Sequence, residues 1–172
     1  MEKDFNYSIP SVLNRSYGDE KLMSARKRFS KSLFDDNDEV ARLAVEQLKH
    51  HFGVDEFRDS ESRYTVDREG WKAEEHLVNV EVEVKHNWKR GLESFPYDTI
   101  HLPKRKEKYL ELDKPTHFVI FSSDMEGAIV FSDKTVKDYA VMKEVPNKFV
   151  PKGEMFFNIP VNKTSWLKIG DE

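Results

Sequence analysis

Valine recurs at every second position in the run Val78-Asn79-Val80-Glu81-Val82-Glu83-Val84-Lys85, and no other stretch constrains the fold as tightly. A side-chain period of two belongs to a strand, here with the valines turned into a core. Glu81, Glu83 and Lys85 then share the opposite face. Two carboxylates and an amine in one row suit an exposed sheet surface. They equally suit a hard divalent cation, which takes carboxylate oxygens as ligands.

The chain has 172 residues, enough for one domain with a real core. Its net charge of -4 conceals 28 basic and 32 acidic side chains, so any nucleic-acid surface must be local rather than global. Cysteine is absent, which excludes disulfides, thiolate metal sites and cysteine nucleophiles. No apolar run is long enough to span a bilayer and none resembles a signal peptide, so a soluble, cytoplasmic protein without a membrane partner is expected.

Taken in order, residues 1–34 read as an extended arm followed by a basic, amphipathic helix. Asp36 with Glu39 reads as a capping box, and Gly53 as the stop of a helix whose apolar face includes Val40, Ala41, Ala44, Val45 and Leu48. Asp55 to Ser62 reads as a charged connector, Arg63 to Asp67 as a short strand ending in a carboxylate, and Gly70 as a turn. Phe95 to Pro103 reads as a loop or short strand. The stretch from Lys104 to Leu112, after a proline, reads as a helix with a basic front. The apolar run Thr116 to Ser122 predicts a strand covered on both faces, with Ala128 to Phe131 as its hairpin partner. A short helix over Lys134 to Met142, a final strand over Glu154 to Val161, and a tail from Trp166 to Ile169 complete a single α/β domain.

Several standard sites are missing. The seven glycines form no phosphate-binding loop, and no Gly-x-Ser-x-Gly elbow or His-Glu-x-x-His zinc spacing is present. What survives is carboxylate chemistry around Asp67, Glu83 and Lys85. A helix, then Asp67 at a strand end, then Glu83-Val84-Lys85 within an apolar strand resembles the PD-(D/E)XK nuclease superfamily, over a core from about Glu39 to Phe131. Val66 stands where that motif has proline.

The resemblance implies a restriction-endonuclease-like fold, a mixed sheet of four to five strands flanked by helices. It implies that Asp67 and Glu83 hold Mg2+ or Mn2+ with help from the Val84 carbonyl, and that Lys85 sits beside the attacking water. It also implies a glutamate from the first helix, for which Glu46 is the nearest match, although the helical period sets Glu46 on the polar face, within reach of Lys49, Arg42 and His50. Asp59 is the substitute for Asp67 if the strands are displaced.

The chemistry has its own logic. A phosphodiester repels hydroxide, so its hydrolysis calls for cations that neutralise phosphoryl oxygens and acidify a bound water. Glu83 and Lys85, two residues apart, project from the same strand face. His86, Trp88, Lys104, Arg105 and Lys106 are the candidate nucleic-acid contacts, with Trp88 and Tyr97 as rings on which unpaired bases could stack.

The expected function is a metal-dependent nuclease, endo- or exo-acting, on nucleic acid and on DNA in particular; a homodimer would suit cleavage of both strands. Two other classes stay open. One is a non-catalytic binding module on the same fold. The other is an α/β protein in which Glu81, Glu83 and Lys85 merely form cross-strand ion pairs.

Overall fold

The computed structural model describes residues 33–61, 65–90, 94–146 and 151–169. The expected arm and almost all of the basic helix lie outside the described residues. Helix α1 (Leu33–Ala44) runs into a 3-10 turn (Val45–Leu48) and a last helical turn, α2 (Lys49–Phe52). The helix is already formed at Leu33, so positions 36 and 39 lie within it and not at its start. It does stop at Gly53, whose φ of 65° is the left-handed conformation that glycine adopts without a steric cost.

Nine strands follow among the described residues. The first three are β1 (Glu56–Asp59), β2 (Arg68–Lys72) and β3 (Glu75–Lys85), a meander of antiparallel neighbours. The residues read as a charged connector therefore contain a strand. Phe57 is its one buried side chain, too little apolar pattern for the period to show. The turn expected at Gly70 lies instead at Ala73 and Glu74, with φ of 47° and 62°. Gly70 sits within β2, where a Cβ would come 2.5 Å from Val78 Cγ1 and 3.0 Å from Val54 Cγ1.

The remaining elements are β4 (Thr99–Pro103), a 3-10 helix (Lys104–Tyr109), β5 (Thr116–Ser122), β6 (Gly127–Ser132), α3 (Asp133–Tyr139), β7 (Val141–Val145), β8 (Glu154–Pro160) and β9 (Ser165–Lys168). The stretch expected to be the final strand is therefore followed by another. The tail at Trp166 pairs with β6, as strand β9.

Six strands form one mixed sheet in the order β1-β2-β3-β5-β6-β9, and three form a second in the order β4-β8-β7. Among the described residues only β3 and β5 run parallel, with Glu83 opposite Ile120. A parallel pair needs a long crossover. Here the crossover carries β4 and the following 3-10 helix, so the chain that joins the two strands also builds the layer that covers them.

The sheet is buried on both faces. Val78, Val80, Val82, Val119, Phe121, Ala128 and Val130 pack on one side against Ala41, Ala44, Val45 and Leu48 of the helix. Phe118, Ile120, Ile129 and Phe131 alternate to the other side and meet Ile100, Leu102 and Ile159 of the second sheet, Tyr109 and Leu110 of the crossover, and Val136 of α3. The result is a mixed α/β architecture, mostly sheet. Among the described residues no helix is long and apolar enough to cross a membrane.

Candidate active site

The second layer changes the environment of β3. Its valines face the helix as the alternation predicts, but the other face is not a free surface: Glu81 is buried at 6 % exposure, and Glu83 and Lys85 are partly covered. These side chains form one wall of a cleft of about 550 Å³ between β3 and the second sheet. Asp67, His86, His101, Pro103, Arg105, Lys106 and Phe156 complete the lining.

Asp67 reaches the cleft from just before β2, not from the end of a preceding strand. The antiparallel register sets Arg68 opposite Val80. Asp67 is thereby brought level with the middle of β3, where the Val82 N–H donates to its Oδ2 at 3.0 Å. Arg42 of α1 donates to its Oδ1 at 3.1 Å. Residues fifteen apart in sequence, Asp67 and Val82, thus become neighbours.

Glu81 lies deepest. Its Oε2 is 3.2 Å from the Lys106 ammonium. Burial, reinforced by the negative charge of Asp67 and opposed by Lys106, pushes its pKa up to about 7. The same surroundings act on Tyr109. Burial, then Glu81 and Asp67, raises its phenol to about 12, so the hydroxyl keeps its proton and donates to the Thr65 carbonyl at 3.3 Å. Lys85 Nζ lies 5.4 Å from the centre of the Tyr97 ring, within cation–π range. Across the cleft, burial and then Lys85 and Lys143 lower the pKa of His101, so its imidazole stays neutral more readily than in water.

Asp67, Glu81 and Glu83 all line the cleft, and carboxylates are the ligand type that a hard cation takes. Among the described residues no three His, Cys, Asp or Glu side chains are already drawn together around one point. A magnesium ion that keeps most of its water asks for only one or two carboxylates.

Asp67, Glu83, Val84, Lys85, His86, Arg105 and Lys106 all line the cleft, with Arg105 also paired to Glu154 at 2.8 Å. Lys104 is exposed and does not line it. Two expectations need correction. Glu46 is not at the cleft: its carboxylate is held by Arg68 Nη2 at 2.7 Å and Lys49 Nζ at 2.9 Å, on the polar side of the helix. Trp88 is fully buried against Phe95 and Trp166, so its ring is core and does not meet a nucleic acid. Asp59 is largely exposed, and its carboxylate faces Arg68 and not the cleft.

Sequence reasoning named Glu81 in the charged row of β3 without assigning it a role in the site, and it passed over His101 and Phe156. Glu81 carried a signal, since it shares the period-two face with Glu83 and Lys85. His101 and Phe156 carried none, because they meet only through the pairing of β4 with β8. Against known proteins, no family model matches the chain and no curated protein does.

Proposed function

We propose that the chain is a metal-dependent phosphodiesterase acting on nucleic acid, DNA in particular, with a restriction-endonuclease-like arrangement of α1, the β1 to β3 meander and β5. The observation that carries this reading is the meeting of Asp67 with the Glu81, Glu83 and Lys85 face of β3 in one cleft that Arg105 and Lys106 also line.

In this reading Asp67 and Glu83 hold Mg2+ or Mn2+, with the Val84 carbonyl and Glu81 as further oxygen donors nearby. When bound, such an ion supplies Lewis-acid stabilisation of the phosphoryl oxygens and lowers the pKa of its water. The protein's own groups do the rest. Lys85, with Tyr97 beside it, donates a hydrogen bond toward a non-bridging phosphate oxygen or the attacking water. Arg105 and Lys106 offset the charge of neighbouring phosphates and fix the register of the backbone. Arg42 and the Val82 amide keep the Asp67 carboxylate oriented, so little rearrangement precedes the reaction.

A non-catalytic nucleic-acid-binding reading has one observation in its favour. Asp67 and Glu81 are each already paired with a cationic side chain, Arg42 and Lys106. If those pairs persist, the carboxylates have no need of a metal.

The deciding experiment incubates the protein with single- and double-stranded DNA and RNA in Mg2+ or Mn2+, alongside Asp67→Ala and Lys85→Ala. Cleavage that needs the divalent ion and vanishes in both variants is the expected result. Cleavage that survives both substitutions, or none with any substrate, overturns the catalytic reading.

A further inference from the structure

The cleft wall that faces β3 is aromatic. His101 on β4 and Phe156 on β8 stand with ring centroids 5.7 Å apart and planes 41° from parallel. The register places Pro103 opposite Phe156 and His101 opposite Asn158, so all three cleft residues cluster on two adjacent strands. These rings are not needed to fill the core. Along β8 it is Phe157 and Ile159 that join the cluster between the sheets, whereas Phe156 turns to the cleft and His101 is exposed.

We propose that His101 and Phe156 form a stacking platform for one unpaired base, so that the cleft accepts a single-stranded segment or overhanging end in preference to an intact duplex. The inference rests on the reading of this cleft as a nucleic-acid site. Two features support it. A cleft of about 550 Å³ is of the size that takes one compact ligand such as a nucleotide. The lining also holds groups for both parts of a nucleotide. Lys85, Arg105 and Lys106 offer cations to the phosphate, and His101 and Phe156 offer ring faces to the base. In a duplex the base faces are already covered by their neighbours, whereas an unpaired base leaves a π-face for any aromatic ring.

The test measures binding of the whole protein, with divalent ions chelated to prevent turnover, to three fluorescent DNAs of one sequence: single-stranded, blunt duplex, and duplex with an overhang. A 2-aminopurine in the unpaired segment reports stacking by quenching. The single strand and the overhang should bind at least about tenfold tighter than the blunt duplex, with quenching. Phe156→Ala and His101→Ala should each remove about tenfold of that advantage and leave duplex affinity unchanged, the scale of one lost base stack. Phe156→Trp should restore it. His101→Ala changes an exposed side chain, so it keeps the test valid if Phe156→Ala unfolds. Equal affinity for blunt duplex, or single-strand affinity indifferent to both variants, overturns the inference. Divalent-dependent cleavage of blunt duplex that is lost in Asp67→Ala then leaves the nuclease reading standing alone. Phe156-dependent binding without cleavage in Mg2+ or Mn2+ does the reverse, and no binding to any of the three overturns the stacking inference, with the nuclease reading decided by the cleavage assay.

Discussion

The carboxylate of Asp67 accepts a hydrogen bond from the Val82 backbone amide at 3.0 Å, tying the entry to β2 to the middle of β3. Its other oxygen takes Arg42 at 3.1 Å. One side chain therefore has two duties, holding the hairpin to the helix and presenting a charge to the cleft. Asp67→Asn separates them. The amide keeps an acceptor for Val82, so the melting temperature should fall by the equivalent of about 1 kcal/mol while divalent-dependent cleavage is lost. Asp67→Ala should cost a further 1–3 kcal/mol or so, because the Val82 N–H is left unpaired. Thermal unfolding of both variants beside a cleavage assay checks this.

Glu81 predicts an unusual pH dependence. Its folded pKa of about 7 lies above the ordinary value of 4.5, so the folded chain binds a proton that the unfolded chain has released. Stability from this group is complete below pH 4.5 and drains away as pH rises through 7, by on the order of 3 kcal/mol. Glu81→Gln should flatten that slope in chelator, so denaturant titrations at pH 5 and pH 8 should differ less in the variant. Added Mg2+ should stabilise the wild type most at pH 8, where the carboxylate is ionised.

Arg68 is buried at 7 % exposure. It donates to Glu46 at 2.7 Å, the Phe57 carbonyl at 2.8 Å and the Arg42 carbonyl at 3.0 Å. Arg68→Ala should destabilise by roughly 1–3 kcal/mol, leaving the buried Phe57 carbonyl without that donor. Glu46→Gln should be milder, about 1 kcal/mol, and should leave cleavage and metal dependence intact. A loss of metal binding in Glu46→Gln would return that glutamate to the site.

Gly70→Ala should cost about 1–3 kcal/mol by overpacking, since the new methyl would meet Val78 Cγ1 at 2.5 Å and Val54 Cγ1 at 3.0 Å, both anchored in the core. Because Gly70 is remote from the cleft, residual activity per folded molecule should be unchanged. Urea titration and cleavage measured on the same sample separate the two.

Much of the fold was legible wherever a local period was strong. β3, β5 and β6 follow from alternation and apolar runs, and Gly53 ends its helix because its backbone conformation suits glycine. β1 was hidden because a four-residue strand with one buried side chain has no visible period. Gly70 read as a turn because glycine serves both turns and close packing, and only the neighbouring Val78 decides between them. In the cleft, Glu83 and Lys85 were legible together through their spacing. Glu46 was legible from the helical period as a polar-face residue beside Lys49, and only the resemblance drew it toward a metal, while its partner Arg68 came from a distant strand.

By itself the sequence determined that β3 would turn its valines one way and Glu81, Glu83 and Lys85 the other, since a strand's side chains alternate whatever surrounds them. It also excluded every chemistry that needs cysteine. Only the tertiary structure decided that the charged face would be enclosed and not left in water. That depended on the crossover between β3 and β5 folding back as β4 and a 3-10 helix, so that Lys106 meets Glu81 and His101 meets Phe156. Burial and long-range pairing set the charge state of Glu81 and the shape of the cleft, and neither is a property of any local stretch of chain.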